Sequence, residues 1–208
     1  MLDNKKIKTA VLVSGGGTNL QAIIDAIQKG DVTHSELSVV ISNVEGAYAL
    51  TRAQNAGIKT AVITKKSMGS QEEFEKRIIS ILEENEIEVI VLAGFMSILS
   101  ENFTKKYENR ILNIHPSLIP SFCGKGFYGL KVHEKALEYG VKITGATVHF
   151  VNEIPDGGKI IMQKAVEIKE DDTPEVLQKR VMEEAEWIIF PKALEKVCKE
   201  ILERKIWK

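Results

Sequence analysis

Apolar positions along this chain alternate between two spacings. Ile7–Val13 is a continuous β-rich run that reads as a buried parallel strand. After Ser14, Gly15, Gly16 and Gly17, the residues Leu20, Ile23, Ile24 and Ile27 fall at helical spacing, with Thr18 and Gln21 placed as a capping box. Residues 37–42 predict a second strand, 47–56 a helix stopped by Gly57, and 58–63 a third strand. Ser70 and Glu73 form another capping box ahead of Phe74, Ile78, Ile81 and Leu82 on one helical face. Residues 89–93 are apolar throughout, as in a central strand. Such alternation predicts a parallel sheet, helices on both faces and right-handed crossovers.

The rhythm then changes. A short helix over 100–107 leads to Ile111, Leu112, Asn113 and His115. Residues 120–129 hold three glycines and three aromatics, the composition of a flap, and a helix follows over 132–139. Strands at 143–151 and 159–168, separated by the turn-rich 152–158, predict an antiparallel pair at the far edge of the sheet. Thr173 and Pro174 cap and open the last helix, which runs to about Leu202 and should break or kink at Pro191. The expected fold class is α/β: a doubly wound, mostly parallel, Rossmann-like sheet with an antiparallel strand pair near the C-terminal half.

Composition narrows the function classes. Hydrophobic residues make up 44% and charged residues 27% of 208, with a net charge of −1. That is ordinary for a globular domain and gives no reason to expect a nucleic-acid or membrane surface. No apolar run is long enough to span a bilayer, and residues 1–6 carry no signal pattern, so a cytoplasmic protein is expected. Cys123 and Cys198 make neither a disulfide framework nor a metal motif. Cys198 shares a helical stripe with Leu194, Val197, Ile201 and Leu202, a core position.

Candidate chemistry gathers where strands end. Asn113 and His115 are two apart, hence on one face of an extended backbone, and Pro116 ends the strand behind them. A carboxamide donor beside a titratable imidazole suits carbonyl chemistry, the first for an oxyanion and the second for a proton. The same residues also fit a capped strand end with a satisfied histidine. The glycine loop opening a helix suits an anion, through free N–H groups and the helix dipole. It lacks the Gly-Lys-Ser/Thr of a P-loop, and Leu20 replaces the third glycine of a dinucleotide fingerprint. A single phosphate fits better than a pyrophosphate, and a ligand-free tight turn is the competing reading. The apolar loop 94–99 either walls a pocket for a flat ligand or tucks beneath the next helix.

Taken together, Ser14 to Gln21 (SGGGTNLQ), Leu92 to Met96 (LAGFM), Asn113 to Leu118 (NIHPSL), Thr144 to Phe150 (TGATVHF) and Asp156-Gly157-Gly158 resemble the folate-dependent formyltransferases, in the same order and over nearly the whole chain. The glycine loop points to the branch that acts on glycinamide ribonucleotide in purine biosynthesis. The extra domains of relatives that formylate initiator tRNA or hydrolyse formyltetrahydrofolate are not expected. The resemblance implies a single domain over 1–208, with a nucleotide- and phosphate-binding half at about 1–112 and a catalytic, folate-binding half at about 113–208. It implies 10-formyltetrahydrofolate as co-substrate and glycinamide ribonucleotide as acceptor, with no metal, nucleic acid or membrane, in a monomer or homodimer. The alternatives are a formyltetrahydrofolate hydrolase, a formyltransferase acting on another amine, and a phosphate-binding module without catalysis.

The same resemblance implies roles. Asn113 would hold the formyl oxygen, His115 would act as a protonated imidazole, and Asp156 would pair with His115 and raise its pKa. Taken alone, Asp156 reads as a turn residue. Gly17, Thr18 and Asn19 would bind the phosphate and Glu186 the ribose. Glu186 keeps its spacing to Pro191, while the helix upstream is one residue longer than the family pattern. Met96, Ser97, Ile98, Leu99, Val151, Asn152 and Asp156 would hold the folate, and His149 would lie near the triad. Ser97 and Gln71 stand where arginines are common, Lys131 where a histidine is common, and the flap is longer than usual.

Overall fold

The computed structural model of the protein describes residues 5–206. Residues 1–4, part of the stretch read as lacking a leader, and 207–208 lie outside the described residues. The strands are β1 (Ile7–Val13), β2 (Ser35–Ser42), β3 (Lys59–Val62), β4 (Val89–Leu92), β5 (Ile111–His115), β6 (Ile143–Phe150) and β7 (Ile160–Glu167). The helices are α1 (Thr18–Lys29), α2 (Tyr48–Asn55), α3 (Lys65–Met68), α4 (Gln71–Glu84), α5 (Glu101–Lys106), α6 (Leu130–Tyr139), α7 (Pro174–Val181) and α8 (Trp187–Ile206).

One seven-stranded sheet runs in the order β3-β2-β1-β4-β5-β6-β7. The first five strands pair in parallel, and β6 and β7 are antiparallel, as the loss of βα rhythm predicts. Order reverses between β1 and β4, so the loops after these two strands flank the crevice where α/β sheets bind ligands.

Alternation along β1 divides the core. Val11 and Val13 pack with Leu20, Ile23 and Ile24 of α1 and with Phe190 and Leu194 of α8. Ala10 and Leu12 point the other way, to Phe74, Ile78 and Leu82 of α4 and Phe103 of α5. Cys198 is fully buried in the first layer, and burial pushes its thiol up to about 12.

Two local expectations fail. Thr18 does not cap α1: the capping position is Gly17, in the left-handed region at φ 72°, with no side-chain cap. Nor does Pro191 break the last helix, since α8 runs through it. The irregularity lies just upstream, where Met182–Glu186 form a π-helical turn. A π turn absorbs one extra residue in a helix, and this one ends at Glu186. Trp187, whose carbonyl lies four residues before Pro191, follows this turn directly.

Candidate active site

Antiparallel pairing of β5 with β6 sets Asn113 opposite His149 and His115 opposite Thr147. His149 is 1% exposed. Its Nδ1 lies 2.8 Å from the Phe150 carbonyl, so Nδ1 carries the proton and Nε2 accepts a 3.1 Å bond from the Asn113 amide. One amide hydrogen of Asn113 is thereby left for a ligand.

Asp156 arrives from the turn between β6 and β7. The turn is shaped by Asn152 Oδ1, which accepts the Ile154 N–H at 3.0 Å, and by Gly158, where a Cβ would lie 1.7 Å from the Phe150 carbonyl oxygen. Asp156 itself sits at φ 57°, a conformation costing roughly 1 kcal/mol or more for a residue with a side chain. Its Oδ2 accepts the Gly124 N–H at 2.8 Å and lies 3.5 Å from His115 Nδ1, while Oδ1 lies 3.5 Å from His149 Nε2. One carboxylate thus faces two imidazoles. Burial works to raise its pKa, but His149 donating from Nε2 when protonated, the charge of His115 when protonated and the Gly124 N–H together hold it below its ordinary value.

His115 is 4% exposed, and its Nε2 donates to the Phe122 carbonyl of the flap at 2.8 Å. Burial lowers its pKa and outweighs the opposing pulls of Asp156 and Phe122. The expected direction is therefore reversed: Asp156 acts as anticipated, but desolvation wins. The flap stands on aromatic contacts, with the Phe122 ring 5.9 Å from Tyr139 and 6.4 Å from Phe127.

A cleft of about 130 Å³ opens beside these groups. Asn113, His149 and Asp156 line it together with Ser97, Ile98, Leu99, Val151 and Asn152, whereas His115 lies behind, under the flap. Phe95 of the apolar loop and Ile154 and Pro155 of the turn before Asp156 complete the wall. Met96 is not in the wall: its side chain is 57% exposed. Both readings of the apolar loop hold in part, since Leu99 is buried and Ile98 stands exposed at the cleft. The loop is tied to α4, where Gln71 donates to the Ile98 carbonyl at 3.2 Å and buried Glu75 accepts the Ser100 N–H at 2.7 Å.

At the tip of β1, Gly17 is required by more than φ, because a Cβ there would lie 2.6 Å from that of Ala49. Arg52 donates to the Gly16 carbonyl at 2.8 Å and to Gln21 at 3.2 Å, a cation beside the glycine loop that no sequence signal announced. Asn19 donates to Glu186 at 2.6 Å. Burial raises the Glu186 carboxyl against that bond, and Asn19 Oδ1 is buried without a partner among the described residues. The loop and Glu186, 167 positions apart, thus form one polar site. Thr18 faces a second cavity with Arg52 and Trp187. Among the described residues no group of three or more His, Cys, Asp or Glu could hold a metal ion, and no helix is long and apolar enough to cross a membrane.

Comparisons with known proteins converge. Residues 7–194 match the formyl transferase family. Phosphoribosylglycinamide formyltransferase of Haemophilus influenzae is 44% identical over 184 residues, covering 88% of this chain and 84% of that protein. The trifunctional purine biosynthetic protein adenosine-3 of Gallus gallus is 49% identical over 95% of this chain, which spans only 19% of that relative's length. The crystal structure of glycinamide ribonucleotide transformylase 1 from Symbiobacterium toebii superposes with a TM-score of 0.87 at 39% identity, over 94% of this chain and 89% of that one.

Proposed function

This chain belongs to the formyl transferase family, and from that premise we propose that it transfers the formyl group of 10-formyltetrahydrofolate to the amine of glycinamide ribonucleotide, in purine biosynthesis. The amine nitrogen attacks the formyl carbon, and the carbonyl electron pair moves to oxygen. Asn113 donates its free amide hydrogen to that oxyanion. The Asp156–His115 pair takes the proton lost by the attacking amine and returns it to the folate nitrogen as the C–N bond breaks. His115 suits this exchange because burial keeps it neutral at rest, while negative charge developing nearby favours the imidazolium. His149 holds Asn113 in place. The pair is best described as one titrating unit.

Gly17, Thr18 and Asn19 bind the phosphate at the start of α1, and Glu186 takes ribose hydroxyls beside Asn19. Ser97, Ile98, Leu99, Val151 and Asn152 hold the pterin in the cleft. Met96 contributes through its backbone alone. On this reading the protein acts on small molecules in the cytoplasm, as a monomer or homodimer.

What supports the reading most is a single cleft beside β4, β5 and the turn after β6 whose wall carries both Asn113 and Asp156. The test is to incubate the protein with 10-formyltetrahydrofolate, with and without glycinamide ribonucleotide, and follow tetrahydrofolate. Amine-dependent turnover is expected. Release of formate without the amine would make the protein a hydrolase, and no turnover in either arm would leave it a binder.

A further inference from the structure

The tips of three neighbouring strands are joined by side chains that the reaction above does not use. Because β1 pairs with β2 on one side and β4 on the other, Ser14, Asn43 and the loop 94–99 emerge side by side. Ser14 Oγ donates to Asn43 Oδ1 at 2.6 Å and accepts the Met96 N–H at 2.8 Å. Asn43 Nδ2 then donates to Ser97 Oγ at 2.8 Å. Ser14 directly precedes the glycine loop, and Ser97 lies in the wall of the donor cleft.

We propose that Ser14, Asn43 and Ser97 form a positioning relay that couples occupancy of the glycine loop to the shape of the donor loop, so that bound nucleotide tightens folate binding. The proposal rests on the assignment of those two loops to nucleotide and folate. The donor loop has two anchors of different kinds. Its far half, at Ile98 and Ser100, is fastened to α4 through Gln71 and Glu75. Its near half, Met96 and Ser97, is held by Ser14 and Asn43. Opposite Ser14, the glycine loop is braced by the Ala49 N–H on the Gly15 carbonyl and by Arg52 on the Gly16 carbonyl. Movement of the loop around a phosphate is therefore passed towards Ser14. All three relay side chains are half-buried and neutral, so the signal is a short-range displacement of aligned hydrogen bonds rather than a long-range field.

The experiment measures the dissociation constant of tetrahydrofolate by calorimetry, with and without saturating glycinamide ribonucleotide. In the wild type the nucleotide should tighten tetrahydrofolate by about fivefold or more, the usual lower range of coupling between sites. Asn43→Ala, which alters a residue outside the cleft wall, should bring that ratio to one while nucleotide alone still binds. Ser97→Ala should do the same, and serves if Asn43→Ala fails to fold. Ser97→Thr keeps the accepting oxygen and should keep the ratio. A wild-type ratio of one, or alanine variants that retain the wild-type ratio, would overturn the relay. A wild type that binds no glycinamide ribonucleotide at all would overturn the functional reading, and the relay with it.

Discussion

Nε2 of His115 donates to the carbonyl of Phe122, so the flap's backbone occupies the outer nitrogen of the imidazole. Two residues on, the Gly124 N–H closes on Asp156. The flap therefore clasps both members of the pair through its main chain, and the Phe122–Tyr139 contact helps to hold it there. An aromatic pair of this kind contributes about 0.5–1.5 kcal/mol. Tyr139 is 80% exposed, so Tyr139→Ala should leave global stability nearly unchanged but loosen the flap. The expected result is roughly two- to tenfold faster hydrogen exchange at the Gly124 amide, the fold-change that energy implies. Unchanged exchange there would show that the aromatic contact does not hold the flap.

The glycine loop offers an internal control. A Cβ at Gly16 would meet nothing within 4 Å, whereas one at Gly17 would strike Ala49 at φ 72°. Gly16→Ala should fold normally. Gly17→Ala should lose roughly 1–3 kcal/mol from overpacking and strain, and should weaken nucleotide binding without weakening folate binding. Thermal melts and separate titrations of each ligand decide it. Equal behaviour of the two variants would refute the close-approach account.

Much of the fold was legible because period and punctuation agree. The run in β1 followed by glycines, and the two strands after Lys142, left few topologies open. The strand-end motif was legible too, since spacing of two puts Asn113 and His115 on one face. Other features depend on contacts that no local pattern carries. Thr18 looked like a cap, but the chain enters α1 through a left-handed Gly17 against Ala49. Pro191 reads as a breaker, but α8 runs through it and the irregularity lies upstream at Met182–Glu186. The pKa of His115 depends on how completely a flap from elsewhere in the sequence buries it, and spacing does not encode that balance. Arg52 gave no signal because a lone arginine on a surface helix is commonplace.

His133 on α6 is fully buried, its ring nitrogens lack partners among the described residues, and burial lowers its pKa to about 4. The unfolded chain, with a histidine near 6.5, binds more protons than the folded one between those values. Stability should therefore fall as pH drops from about 6.5 to about 4, by on the order of 3 kcal/mol from this residue. His133→Leu should remove about one proton from the pH dependence of the urea midpoint across that window. An unaltered dependence would mean that other groups carry it.

Asn113 can be assigned by its kinetics. Its amide donates to His149 and has one hydrogen left for charge that arises only during reaction. Asn113→Ala should lower turnover by about 10²–10³-fold with little change in the binding of either substrate. His149→Ala should give a smaller loss of the same kind, since it frees the amide without removing it. A variant at Asn113 that loses binding alone would make the residue a positioning group.

The Asp156–His115 pair yields the most direct test, because two opposing effects fix its sign. Burial lowers His115 while the Asp156 carboxylate, 3.5 Å away, pulls it up. Wild-type His115 should thus titrate below about 6.5. Asp156→Asn keeps the shape and deletes the upward pull, so His115 should titrate lower still, and turnover near neutral pH should drop because the imidazolium is harder to form. Stability follows the other partner. The Asp156 carboxyl is depressed in the folded protein, so its contribution is full above the unfolded value near 3.9 and fades as pH falls through the folded one. Asp156→Asn should therefore be less stable than wild type at pH 7, with the gap narrowing in acid. Ring signals of His115 followed by NMR in both proteins read the first effect, and urea midpoints against pH read the second. Identical His115 titrations would dissolve the pair and return Asp156 to the role of a turn residue.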